Sequence, residues 1–139
     1  VENVVAQMLT ANGRKLYFHM QKSKDEAKTI AAAKEFIRAN PCGADFCLDG
    51  YAKDGIDVET LDGLVSVMLA GWSGQRVRKE PLENGFTSYW NEFNASNGWL
   101  RVLEAWFDAI GPTLEDGSEF HVDAEKQWEE WTVVNGEVV

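Results

Sequence analysis

Hydrophobic residues predominate in two short stretches near the start of the chain. These stretches, residues 4–10 and 15–21, read VVAQMLT and KLYFHMQ and enclose Asn12-Gly13. An Asn-Gly pair favours the positive φ angles of a two-residue hairpin loop. The pattern therefore predicts an N-terminal β-hairpin.

Apolar residues at helical spacing then predict two helices. Ser23 and Glu26 fit the capping-box pattern that begins a helix, and Asn40-Pro41 ends it near Ala39. The second helix is expected to begin after a cap at Asp57. Its apolar residues recur at intervals of three and four positions and form one helix face: Leu61, Leu64, Val65, Met68, Leu69 and Trp72.

Two more segments with a helical pattern lie in the aromatic-rich second half, and the predicted domain has three to four helices. The shorter one has aromatic residues at helical spacing: Phe86, Tyr89, Trp90 and Phe93. The longer one begins at Ser96 or Asn97 and ends at Gly111-Pro112. Its predicted core face consists of Trp99, Leu103, Trp106, Phe107 and Ile110.

Three segments between the predicted helices have shorter patterns. A strand is expected over residues 45–48 and a loop over residues 49–55. Residues 76–79, which read RVRK, fit a loop or an edge strand.

The C-terminal segment has the pattern of strands. Residues 119–123 alternate as in a half-buried strand, whereas Trp128 and Trp131 fit either one helical turn or opposite faces of a strand. Asn135-Gly136 predicts a second hairpin turn. With the preceding elements, this predicts a single compact α+β domain over residues 1–139.

The composition fits a folded protein. A chain of 139 residues with 45% hydrophobic residues is long and apolar enough to bury a core. No apolar run reaches the ~20 residues that span a bilayer, and the first residues lack a secretory signal pattern. We therefore expect a cytoplasmic protein without membrane association. Cys42 and Cys47 could close a small disulfide loop, but a reducing cytoplasm favours two free thiols.

The charge is distributed unevenly along the sequence. Residues 1–40 have a net charge of +3, whereas residues 80–139 carry thirteen acidic residues against Arg101 and Lys126. Five of the six tryptophans lie in the same last 60 positions. The acidic residues repel one another, which costs stability and suggests that the acidic half of the chain binds a basic partner. The negative charge also argues against direct binding of nucleic acid, because phosphate contacts supply most of that affinity.

Residue types suited to catalysis are present, but without a motif that assigns a reaction. His19 and His121 each precede an apolar residue on a predicted strand, which is similar to phosphoesterases that use two His-apolar-Ser/Thr motifs. Here Gln21 and Asp123 replace the hydroxyl residues. Glu119, His121 and Asp123 share one strand face and could hold a divalent metal, although a solvated strand face has the same pattern.

The sequence therefore favours a non-catalytic role without metal or cofactor. We expect an acidic inhibitor that binds a basic protein, such as a nucleic-acid-handling enzyme or a nuclease toxin. Phage or plasmid proteins that antagonise CRISPR or restriction systems, and immunity proteins, share this logic; homo-oligomers are compatible with it. The alternative is a small-molecule-binding or phosphoester-hydrolysing domain that uses His19 or His121. The candidate binding residues are Glu115, Asp116, Glu119, Asp123, Glu125, Glu129 and Glu130 for charge, with Trp128 and Trp131 as anchors.

Overall fold

Six antiparallel strands form one sheet in the computed structural model, which describes residues 13–39, 48–70, 77–94, 97–124 and 127–139. The sheet order is β2-β3-β1-β4-β5-β6. The strands are β1 (Gly13–Gln21), β2 (Arg78–Pro81), β3 (Thr87–Asn94), β4 (Glu119–Ala124), β5 (Gln127–Val134) and β6 (Glu137–Val138).

Four helices lie within the described residues, and 3-10 turns span Glu83–Gly85 and Gly111–Thr113. The helices are α1 (Glu26–Ala39), α2 (Leu48–Lys53), α3 (Leu61–Ala70) and α4 (Asn97–Ile110). The combination of helices with an antiparallel sheet confirms the predicted α+β class.

The helices cover one face of the sheet, which we call the helix side. The Phe18 ring in β1 lies 5.2 Å from the Trp106 ring and 5.6 Å from the Phe107 ring, both in α4. Asn91 in β3 donates from Nδ2 to the carbonyl oxygen of Leu69 in α3 at 2.9 Å. Helix α1 packs on α3 and α4. We call the opposite side of the sheet the outer face.

The core lies between the sheet and these helices. Each large apolar side chain buried there contributes roughly 1.5–3 kcal/mol relative to exposure. The largest fully buried side chains among the described residues are Trp106, Phe18, Phe107, Phe120, Ile37, Leu64, Met68, Leu69, Leu103, Ile110 and Leu114. Most of them fall on the predicted core faces of α3 and α4.

The prediction of an N-terminal hairpin assigned the wrong partner strand to β1. From Arg14 to Phe18, one edge of β1 pairs with β3 and the other edge pairs with β4. Both ladders of this central strand are therefore filled by segments far away in the sequence. The predicted partner, residues 4–10, lies outside the described residues.

Two helix caps differ from the prediction. The Asp25 carboxylate, rather than the Ser23 hydroxyl, accepts from the amides of Ala27 and Lys28 and so caps α1. Ser23 instead forms an isolated β-bridge with Leu114.

At α3, the cap predicted at Asp57 is formed by Thr60. The Thr60 hydroxyl oxygen accepts from the Gly63 amide at 3.1 Å. The Asp57 carboxylate accepts from the Glu59 amide in the preceding turn at 3.0 Å.

Two segments have a different secondary structure from the predicted one. Residues 48–53, placed mostly in a loop, form α2, whose Leu48 and Tyr51 pack against the core. The aromatic segment predicted as a short helix is β3, because Tyr89 is buried on the helix side while Trp90 occupies the other face.

Residues 78–81 form an exposed edge strand, which was one of the two structures predicted for this segment. The strand predicted over residues 45–48 lies outside the described residues apart from Leu48, which begins α2.

The strand and the turn predicted in the C-terminal segment are present. Residues 119–124 form β4, and Trp128 and Trp131 belong to one strand, β5, which was one of the two predicted alternatives. Asn135 and Gly136 have φ angles of 53° and 78°, as the predicted hairpin turn between β5 and β6 requires.

Candidate functional site

His121 lies between two carboxylates on the outer face. Its Nε2 donates to Oε2 of Glu119 at 2.7 Å, and its Nδ1 is 3.8 Å from Oε2 of Glu130. The imidazole is 10% exposed, whereas the Glu119 and Glu130 side chains are 23% and 42% exposed. We call these three residues the outer cluster.

The strands hold the outer cluster in place. Glu119 and His121 are two residues apart in β4, so their side chains point to the same face. Glu130 in β5 is the direct cross-strand partner of His121, and such partners also share a face. Phe120, between the first two, points to the helix side and stacks on Trp131.

The two histidines proposed for the alternative function lie on neighbouring strands. His19 in β1 pairs with Glu119 in β4, and Glu119 is the residue whose carboxylate bonds His121. Asp123, the third residue of the metal pattern seen in the sequence, pairs with Lys15 and Trp128. In the structure, the third residue close to Glu119 and His121 is Glu130.

A second group of acids lies on the helix side. Glu104 and Asp108 are one turn apart in α4, and Glu129 lies in β5 opposite Val122, a core residue. We call Glu104, Asp108 and Glu129 the helix-side cluster. Partial burial first, and then the charge of Glu129, raise the pKa of the Glu104 carboxyl above its usual value; Asp108 adds to this and Arg101 opposes it.

The predicted tryptophan anchors have different surroundings. Trp131 is half-buried and stacks on Phe120 with ring centroids 5.6 Å apart, so part of its surface belongs to the core. The backbone of Trp128 pairs with Asp123 in the ladder between β5 and β4.

The remaining candidate acids lie elsewhere. Asp116, in the turn before β4, accepts from the Gly136 amide at 3.3 Å. The neighbouring Glu115 donates its backbone amide to the Lys22 carbonyl. Glu125 lies outside the described residues. The structure thus brings Glu119 and Glu130 together, while it places Glu129 on the other side of the sheet and Asp116 at a turn.

Several basic side chains are paired with acids of the first half of the chain. Lys34 contacts Glu59 at 2.7 Å and Lys79 contacts Asp62 at 2.8 Å. Arg78 lies over the Trp90 ring, 4.6 Å from its centroid. These cations are therefore already engaged away from the helix-side cluster.

Sequence reasoning missed two features of these clusters. Glu104 and Asp108 have the spacing of neighbours on a helix face, which was a readable signal for the helix-side cluster. The proximity of Glu130 to His121 depends on the pairing of β4 with β5, so it required knowledge of the hairpin register.

Comparison of the chain with protein-family models, curated proteins and solved structures gave no match. Among the described residues, none of the helices combines the length and the apolar character that crossing a bilayer requires.

Proposed function

We propose that this protein is an acidic, non-catalytic inhibitor that binds the basic surface of another protein. The partner is a nucleic-acid-handling enzyme or a nuclease toxin, because such proteins carry large basic surfaces. Anti-CRISPR, anti-restriction and immunity proteins would use the same physical principle. The proposal places the charge on the acidic candidates from Glu115 to Glu130, now joined by Glu104 and Asp108.

The observation that carries the proposal is the raised pKa of Glu104 within the helix-side cluster. Partial burial, and then the charge of Glu129, raise the pKa of Glu104, so the charge on this carboxylate is unfavourable in the isolated protein at neutral pH. A cation from a partner would relieve that repulsion and would also increase the association rate.

Trp131 supplies apolar surface beside these charges. It lies two residues from Glu129 in β5 and therefore on the same face of the strand. Since exposed ion pairs each contribute about 0–1 kcal/mol, a half-buried aromatic residue is needed to give the interface its affinity.

Charge reversal on the helix side tests this proposal. The wild-type protein is immobilised, proteins captured from a cell lysate are eluted with increasing salt, and the main captured protein is purified. We expect it to bind nucleic acid and to compete with nucleic acid for this chain. Glu104→Lys/Glu129→Lys should weaken its binding at least about fivefold, which corresponds to about 1 kcal/mol.

The matched control changes the same charge elsewhere. Asp49→Lys/Asp54→Lys reverses two exposed acids in α2 and in the turn after it, and should leave affinity close to that of the wild type. If both double variants bound the captured protein equally weakly, the effect would come from total charge and not from the helix-side cluster. Salt-independent binding, or a captured protein without affinity for nucleic acid, would contradict the proposal.

One observation supports the alternative function, a small-molecule-binding or phosphoester-hydrolysing domain. In the sheet, His19 of β1 is the backbone partner of Glu119, the residue whose carboxylate is hydrogen-bonded to His121. A small-molecule-binding or phosphoester-hydrolysing domain would need such an arrangement. Turnover of a panel of phosphoesters and nucleotides, lost in His121→Asn and retained in Glu129→Gln, would establish it and would replace the inhibitor hypothesis.

A further inference from the structure

The outer cluster combines ligand types that bind divalent metal ions. It offers one imidazole nitrogen and two carboxylates, and one ligand atom from each residue can be chosen so that all three lie within 4.8 Å of one another. Protein zinc sites use nitrogen and oxygen ligands at about 2.0–2.2 Å. Ligand atoms around a tetrahedral ion at that distance are therefore roughly 3.3 Å apart.

We propose that Glu119, His121 and Glu130 form a binding site for a divalent first-row transition metal ion of the zinc type. The imidazole argues for this class, because calcium and magnesium prefer a shell of oxygen ligands. Three protein ligands also leave a fourth position for water or an exogenous ligand, as in zinc sites that are not purely structural.

The two shortest distances fit a site that closes around an ion with small movements. Nε2 of His121 and Oε2 of Glu119 are 2.7 Å apart. The ion would replace the proton on Nε2, which is released to solvent or moves to Nδ1, and the two ligand atoms would separate by about 0.6 Å to admit it. Glu130 lies 3.8 Å from the other ring nitrogen, Nδ1, so its carboxylate must turn toward an ion bound at Nε2. Its side chain is the most exposed of the three, so His121 and Glu119 define the site and Glu130 completes it.

The backbone around this site is rigid in the way that a metal site requires. β4, which carries Glu119 and His121, is paired on one edge with β1 and on the other with β5. Ligands on paired strands are held more precisely than ligands on loops. The imidazole is nine-tenths buried beside its carboxylates, which limits competition from water.

This inference does not depend on the proposed inhibitor function. The inhibitor proposal is tested on Glu104 and Glu129 of the helix-side cluster, whereas the metal site depends on His121 on the other face of the sheet. Glu104→Lys/Glu129→Lys should weaken partner binding and leave Zn²⁺ binding intact, and His121→Asn should do the reverse, so the two proposals can fail separately.

Direct titration tests the site. The protein, treated with EDTA and then dialysed, is titrated with Zn²⁺ by calorimetry and with Co²⁺ by visible absorption. We expect one ion per chain at the outer cluster, visible d–d bands from bound Co²⁺ and an increase in Tm with Zn²⁺. Glu130→Gln should weaken Zn²⁺ binding about 10- to 100-fold, a range typical of perturbed metal sites.

The adjacent residue provides the control. Glu129→Gln makes the same chemical change on the opposite face and should leave the Zn²⁺ affinity unchanged. His121→Asn should abolish the Co²⁺ spectrum; because this residue is buried, circular dichroism must show that the variant is folded, and Glu119→Gln serves if it is not. Zn²⁺ binding that survives Glu130→Gln undiminished, or equal affinity for Mg²⁺ and Ca²⁺, would overturn the proposal.

Discussion

At the scale of single residues, the electrostatics of the Glu104 side chain depends on the fold. Its folded-state pKa is raised by burial, by Glu129 and by Asp108. The folded chain therefore holds a proton on this carboxyl at pH values where the unfolded chain has lost it. Stability must fall as pH rises through this interval above the usual value of 4.5, and the full cost remains at neutral pH.

Glu104→Gln should therefore stabilise the protein at pH 7. We expect a gain of about 0.5 kcal/mol in the free energy of unfolding, the size of a like-charge pair on a helix surface. The gain should be smaller at pH 5, where Glu104 is closer to its own titration. Urea denaturation followed by circular dichroism at both pH values measures it.

The control for this prediction is Asp54→Asn, which removes one charge from an exposed residue after α2. It should change stability less than Glu104→Gln does at pH 7. A Glu104→Gln variant that is no more stable than the wild type at pH 7, or equally stabilised at both pH values, would contradict the assignment.

At the scale of elements, the sequence predicted structure best where one periodicity dominated. The core faces of α3 and α4 followed directly from their apolar spacing, and Asn135-Gly136 identified its own turn. β3 was mistaken for a helix because its aromatic residues occupy both faces of a strand, so their positions do not alternate with polar residues.

Strand partners could not be predicted from the local pattern. Alternation shows which side of a strand is buried, but it does not show which distant segment fills each edge. β1 pairs with β4, about 100 residues later, and this long-range pairing sets His19 opposite Glu119. The outer cluster arises from the same kind of pairing, between β4 and β5. Spacing along the sequence suggested Asp123 as the third ligand instead, because it shares a strand face with Glu119 and His121.

The start of α3 offers a test in which two effects oppose each other. Alanine is favoured over glycine in a helix by about 1 kcal/mol. A Cβ at Gly63, however, would lie 1.8 Å from the carbonyl oxygen of Asp57, a backbone atom that the turn before the helix fixes. The turn would have to move, and with it the Thr60 cap, which contributes about 1 kcal/mol.

Gly63→Ala should therefore destabilise the protein by about 1–2 kcal/mol, since overpacking and cap loss exceed the gain in helix propensity. The measurement is the free energy of unfolding from urea titration. Ser66→Ala in the same helix should be nearly neutral, which shows that alanine itself is tolerated there. A Gly63→Ala protein as stable as the wild type would mean that the turn yields at little cost.

At the scale of the whole molecule, the charges are separated in sequence and only partly balanced in space. The net charge is −10, and the ion pairs of Lys34 and Lys79 engage acids that precede residue 80. The sheet then divides the later acids between its two sides, with Glu104 and Glu129 on the helix side and Glu119 and Glu130 on the outer face. One chain can therefore present two acidic surfaces with different chemistry.

This distribution predicts that salt stabilises the protein. Raising NaCl from about 0.01 to about 0.15 M shortens the screening length from about 30 Å to about 8 Å and weakens repulsion between the acids. We expect Tm to increase over this range and to change less with further NaCl. In Glu104→Gln/Glu129→Gln the increase should be smaller than in Asp49→Asn/Asp54→Asn, which has the same net charge. Equal salt dependence in the two variants would show that total charge, rather than the helix-side cluster, carries the repulsion.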